Sequence, residues 1–223
     1  GGTPATLEEA ALLAVAHAKG EAPAKALAHL TRRDEILAAE ARAIVAKRKK
    51  PKGRYLRGLF SGGTFCAEAQ VVLDGLVRHL YSNAPLGDSQ KLKNAWKPEK
   101  NAVVDLGEDE FTVGRAHPMI DFTLRNKMIL EQAADPDVSV ILLDVVLGYG
   151  ANLDPAAELA PVIQQAAKKV FVVAGVNGTI GDPQNRAKTV EALREAGAHV
   201  QLTNAAACKL AGFLAAEVVR KIR

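Results

Sequence analysis

The sequence predicts an α/β fold, a parallel sheet covered by helices on both faces, and three observations predict it. From residue 54 onward, short apolar runs alternate with stretches of helical spacing. There are five of each, in strict alternation. Two of the helical stretches open with Asp-Pro, a capping carboxylate followed by a proline whose missing N–H costs nothing in a first turn.

The elements follow in order. Thr6 with Glu9 three residues on has the form of a capping box at the head of "TLEEAALLAVAHA". "TRRDEILAAEARAIVAKRKK" starts a second helix from Thr31, with Ile36, Leu37, Ala41, Ile44 and Val45 at helical spacing. His17 and His29 read as ordinary surface or packing residues of this helical N-terminal arm. Six cations between Lys47 and Arg54, beside Pro51 and Gly53, read as a solvated basic hinge. The strands then fall at residues 55–60, 102–106, 138–147, 170–176 and 199–203, and the helices start near Thr64, Pro118, Pro155, Pro183 and Asn204. A flavodoxin-like order, 2-1-3-4-5, suits such a five-stranded parallel sheet. Residues 82–101, around Trp96, are unpatterned and read as a surface excursion. The division expected is residues 1–53 as arm and hinge and residues 54–223 as the α/β domain.

Composition narrows the class. A chain of 223 residues with 48% apolar content can bury a real core. No apolar run approaches the roughly 20 residues of a membrane span, and no signal-peptide layout opens the chain, so a cytoplasmic protein with no membrane partner is expected. The opening Gly1-Gly2 without Met reads as a tag remnant or as part of a longer protein. Cys66 and Cys208 stand far apart without metal or disulfide spacing; no metal is expected, and both read as core-facing. The net charge of +4 resides in residues 1–53, with 10 basic and 6 acidic side chains, while residues 54–223 balance. Because the basic run lacks interleaved aromatics, nucleic acid is not the favoured partner.

In an open parallel sheet, ligands bind beyond the carboxyl ends of the strands. The turn Ser61-Gly62-Gly63-Thr64 lets backbone approach a ligand and offers the N–H groups of a helix start, which suits a phosphate or carboxylate; it also reads as plain turn chemistry. The next loop carries Arg115, for an anion, and His117, for proton exchange, although Arg115 can pair with Glu108–Glu110 and His117 can cap a helix at Pro118. Asp144 is the lone charge of its apolar strand, suited to a ligand or to backbone N–H groups. Asn177, Gly178 and Thr179 add a polar edge. The candidate catalytic residues are therefore His117 and Asp144, with Ser61, Gly62, Gly63, Thr64, Arg115, Asn177, Gly178 and Thr179 as substrate-binding residues.

"LRGLFSGGTFCAEA", "DLGEDEFTVGRAHPMID", "ILLDVVLGYG" and "VVAGVNGTIGDPQ", in this order, resemble the carboxy-terminal half of the FdrA-like acyl-CoA-synthetase family. That family is similar to the α subunit of succinyl-CoA synthetase, with a flavodoxin-like CoA-ligase domain. The resemblance implies acyl or carbamoyl transfer on a small carboxylate or phosphorylated substrate, of the oxamate carbamoyltransferase type. It implies a phosphate and carboxylate site at Ser61–Thr64 and places Asp144 where the ligases carry a glutamate supporting a phosphorylated histidine. The histidine itself belongs in the stretch Gly175–Gln184, which has none. Transfer without a phosphohistidine is the leading expectation. A non-catalytic scaffold subunit is one alternative, and an ADP/ATP-dependent acyl-CoA ligase domain whose other domains lie elsewhere is another. No cofactor is expected in this chain, with CoA or nucleotide entering through other domains, and partner subunits or a homo-oligomer are expected to complete the site.

Overall fold

The computed structural model describes residues 4–48 and 53–222. Along the chain run α1 (Leu7–Ala18), α2 (Pro23–Lys47), β1 (Tyr55–Phe60), α3 (Gly63–Leu73), β2 (Leu80–Ser82), β3 (Gln90–Lys91), β4 (Asn101–Asp105), α4 (Asp109–Thr112), α5 (Thr123–Ala134), β5 (Val138–Val146), α6 (Pro155–Ala167), β6 (Phe171–Asn177), α7 (Arg186–Glu195), β7 (Ala198–Gln201) and α8 (Asn204–Ile222). The sheet is parallel throughout, in the order β3-β2-β4-β1-β5-β6-β7. The five strands expected from the sequence, here β1, β4, β5, β6 and β7, keep the predicted 2-1-3-4-5 order. Two short strands, β2 and β3, extend the sheet beyond β4 and lie at positions with no apolar alternation to announce them.

Strand residues alternate between two cores, as the pleat requires. Leu59, Val104, Ile141 and Val172 face one core with Met128, Leu159 and Leu193. Phe60, Val103, Leu142 and Val173 face the other with Cys66, Leu73, Leu210 and Leu214. The second core also takes Leu37, Ala41 and Val45 of α2, so the arm packs against the α3 and α8 face of the sheet. Lys221 Nζ ties the two ends together by donating to the carbonyls of Val45 and Arg48, each at 2.9 Å. Both cysteines are free and buried there. Among the described residues no helix is long and apolar enough to cross a membrane.

Local chemistry moved several boundaries. Thr6 does cap α1, accepting from Glu9 N, and Glu9 returns a bond to Ala5 N. Thr31 starts nothing: α2 begins at Pro23, and Thr31 bonds back to Leu27 O inside it. Asp154 caps α6 as predicted, accepting from Ala157 N at 3.0 Å. Pro118 lies in a turn closed by Ile120 N and Asp121 N on His117 O, so α5 starts at Thr123. Asp182 folds its carboxylate onto Thr179 N, leaving Asn185 to cap α7 from a left-handed backbone at φ 54°. The excursion at 82–101 buries Leu92 and Ala95 in the core and tilts Trp96 against Phe111, with 4.7 Å between ring centroids. Of the basic hinge, Lys49, Lys50 and Lys52 lie outside the described residues; Arg48 stacks on Phe171 at 4.7 Å rather than standing in solvent.

Candidate functional site

Because every strand is parallel, the loops after β1, β4, β5, β6 and β7 share one edge of the sheet. Under that edge sits a buried polar anchor. Asp144, fully buried on β5, accepts from Ser61 N at 2.9 Å, from Ser61 Oγ, and from the Arg125 guanidinium at 3.1 Å. Arg125, of α5, is itself buried, lies 4.3 Å over the Phe122 ring, and donates to Asp144 O at 2.8 Å. Burial pushes the Arg125 guanidinium below its ordinary value, and the Asp144 charge opposes this. A buried charge persists when paired and hydrogen-bonded; Arg125 meets Asp144 through Nη1, while its buried Nε has no partner among the described residues. Asp144 therefore does not face a ligand, as the catalytic expectation required. Its carboxylate is spent on Ser61 and Arg125, and its effect is to fix where the turn from β1 into α3 leaves the sheet. Ser61 is likewise buried and its hydroxyl points inward, not into a site.

Above the anchor α3 begins without a cap. Gly62 holds the N-cap position and no side chain bonds the first turn. Gly63 and Thr64 are exposed, and the first N–H groups of any helix lack intrahelical partners. The positive end of the α3 dipole is thereby open to an anion.

Beside this open end stands Asp105, which closes β4. Its main chain is clamped by Asn83, which donates to Asp105 O at 2.8 Å and accepts from Asp105 N at 2.9 Å. Its Oδ1 accepts from Gly107 N at 2.8 Å. Asp105 leaves little room at two glycines. A Cβ on Gly63 would stand 3.0 Å from Asp105 Oδ2, and a Cβ on Gly107 would stand 3.0 Å from Asp105 Oδ1 and 3.1 Å from His117 Nε2. Asp105 and His117 thus flank one point next to the α3 terminus. Burial raises the Asp105 carboxyl above its ordinary value, the Gly107 N–H and His117 pull it back, and Glu108 and Asp144 push it further up. Perturbed carboxyls at such strand ends mark functional candidates. His117 Nδ1 accepts from Met119 N at 3.2 Å, which leaves Nε2, the nitrogen beside the Gly107 position, to carry the proton of a neutral ring.

The remaining candidates stand apart from this group. Arg115 is exposed and lies 5.1 Å over the Trp96 ring, and among the described residues it forms no ion pair with Glu108–Glu110. Asn177 donates to Gly175 O, Thr179 N donates to Asp182, and Gly178 rests on Asp182 and Leu147, so this loop closes on itself. Gln184 fastens it to the loop after β5 through Gly148 and Asn152. Of the residues named from the sequence, Gly62, Gly63, Thr64 and His117 form the open site and Ser61 and Asp144 lie under it, while the contacts of Arg115, Asn177, Gly178 and Thr179 are with other residues.

Asp105, Gly107 and Arg125 were not anticipated. Asp105 carried the same signal that drew notice to Asp144, a lone charge closing an apolar run. Arg125 sits among polar neighbours in its helix, and nothing local marks it. Among the described residues no group of three or more His, Cys, Asp or Glu could hold a metal ion.

Comparison with known proteins adds two findings. A model of the CoA-ligase family matches residues 59–214. The uncharacterized protein YahF of Escherichia coli (strain K12) is 35% identical over 162 residues, covering 70% of this chain and 32% of YahF. The chain spans about a third of the length of that curated relative.

Proposed function

Because the chain belongs to the CoA-ligase family, we propose that it takes part in acyl or carbamoyl transfer on a small carboxylate or phosphorylated substrate, in the manner of FdrA-like proteins. The observation that carries the proposal is the uncapped, exposed first turn of α3 with Asp105 and His117 at its side.

The chemistry follows from what each group offers. The N–H groups of Gly63 and Thr64 hold the substrate's phosphate or carboxylate. Asp105, whose raised pKa makes it a better base than an exposed carboxylate, accepts the proton of the attacking nitrogen or oxygen. The nucleophile bonds to the carbonyl carbon while the bond from that carbon to the leaving group breaks. His117 Nε2–H and the helix terminus stabilise the charge that develops on oxygen. No covalent phosphohistidine enters, since Gly175–Gln184 holds no histidine. CoA or nucleotide would be bound by other domains or chains.

Calorimetric titration with carbamoyl phosphate, oxamate, succinate and CoA tests this. At least one anion should bind, and Gly63→Asp, which places a second carboxylate at the helix terminus against Asp105, should weaken it by at least about tenfold. Absence of binding to every one of them would overturn the reading.

One observation favours the scaffold alternative. Tyr149 is 92% exposed, Leu153 87% and Ile180 98%, all on loops of the same edge. Large apolar side chains gathered round one face suit a partner subunit. Such a partner serves either reading, and binding of a substrate anion separates the two.

A further inference from the structure

We infer that the opposite, amino-terminal edge of the sheet carries a second binding site, for an organic phosphate that joins a doubly charged group to an apolar body. The inference is independent of the transfer chemistry above.

A cavity of about 700 Å³ opens there between the start of β1, the turn after α3, the start of β4 and the last turns of α8. That size suits a small organic ligand. Val77, Ala216, Val219 and Ile222 give it an apolar wall. Around the wall stand Arg54, Arg78, His79, Lys100 and Arg220, and among the described residues no carboxylate lines it. In a chain with 25 acidic residues and a charge balance of zero over residues 54–223, one sign of charge around one hollow is a selective arrangement.

Arg220 has a local partner, Glu217 at 3.1 Å, and suits the end of a helix. Arg54 and Lys100 have only neighbouring tyrosine rings, Tyr55 at 6.0 Å and Tyr81 at 5.2 Å. Arg54, Arg78 and Lys100 come from strands and turns, and among the described residues they form no ion pair. Among the described residues the one hydrogen-bond partner of Lys100 Nζ is the Tyr81 hydroxyl, at 3.3 Å.

The backbone supplies a second observation. Three described residues other than glycine have positive φ, and two belong to this rim: His79 at 51° and Lys100 at 56°. The third, Asn185, is the cap of α7. Such conformations persist where the surroundings impose them, and they gather at ligand sites. Here Asn101 imposes them. It donates to Arg78 O at 2.7 Å and accepts from Leu56 N at 3.0 Å, pinning the turn that carries Arg78 and His79 to the strands beside Lys100. A pinned backbone fixes where these cationic side chains arise round the apolar wall, which lowers the cost of gathering them on an anion with a greasy body.

Isothermal titration of the full chain with 1-naphthyl phosphate, against inorganic phosphate and 1-naphthol, tests the site. The joined molecule should bind at least roughly tenfold more tightly than either fragment, since wall and rim contribute together. Its affinity should fall as salt rises. Arg78→Ala and Lys100→Gly should each weaken it by about fivefold or more. The second variant removes a charge where the left-handed backbone favours glycine, so the fold is retained. Gly63→Asp, at the other edge, should leave it unchanged. Absence of binding at millimolar concentration, equal affinity for inorganic phosphate, indifference to both rim substitutions, or loss in Gly63→Asp would each overturn the inference.

Discussion

Asp105 and Asp144 end or nearly end the two strands that flank β1, and among the described residues only Asp144 is paired with a cation. Asp144 is matched by Arg125 and Ser61, so removing it strands a buried guanidinium. Asp144→Ala should lower stability by about 3–5 kcal/mol in urea denaturation, and a loss within experimental error would show that water reaches Arg125. Among the described residues Asp105 forms no ion pair, and burial raises its carboxyl above the ordinary 3.8. A group raised on folding contributes stability that is complete below its unfolded value and lost as pH rises through its folded value. Asp105→Asn, which has no proton to lose, should therefore gain on the native chain as pH climbs from about 4 to 7, read as the difference in urea midpoints. A constant difference would mean that burial does not penalise the charge. Both aspartates were visible as lone charges in apolar runs, but whether a carboxylate is paired depends on a residue nearly twenty positions away, and that no local pattern shows.

Among the elements, α2 sets how firmly the amino-terminal arm belongs to the rest. Leu37, Ala41 and Val45 enter the same core as Leu210, Leu214 and Val218 of α8, whereas Ile36, on the same predicted stripe, is 58% exposed. Amides from Leu37 to Val45 should consequently exchange hydrogen about as slowly as those in the middle of α8, because opening either helix exposes a shared core. Protection at least about a hundredfold weaker in α2 would indicate that the arm opens by itself. Spacing identified the helix but not its start. Pro23 begins it because a proline at the first position loses nothing, and the apparent start at Thr31 lies in mid-helix, where its hydroxyl bonds to the preceding turn. The same holds for α7. Asp182-Pro183 has the form of a helix start, yet the carboxylate is taken by Thr179, and the cap passes to Asn185.

At the level of the whole molecule the parallel sheet sorts the chemistry between its two edges. Strand ends and helix starts meet at the carboxyl edge, giving the uncapped α3 turn with Asp105 and His117; the amino edge gathers strand beginnings and the end of α8, giving the basic-rimmed cavity. The α/β class and the 2-1-3-4-5 order of the five expected strands were legible beforehand, since apolar periodicity and helix-start signals are local properties that any stretch of chain displays by itself. The Gly62–Gly63 turn was legible for the same reason. The strands β2 and β3 were not, because two- and three-residue strands are held by pairing with β4 and with each other rather than by their own pattern. Nor was the division of labour among the site residues. Asp144 facing Arg125, Arg115 turning to Trp96, and Asp105 meeting His117 across Gly107 all join residues distant in sequence or on different elements. Local order fixes what each residue is able to do; which group it meets, and so whether its charge is neutralised or left to act, follows only when packing brings remote segments within a few ångströms.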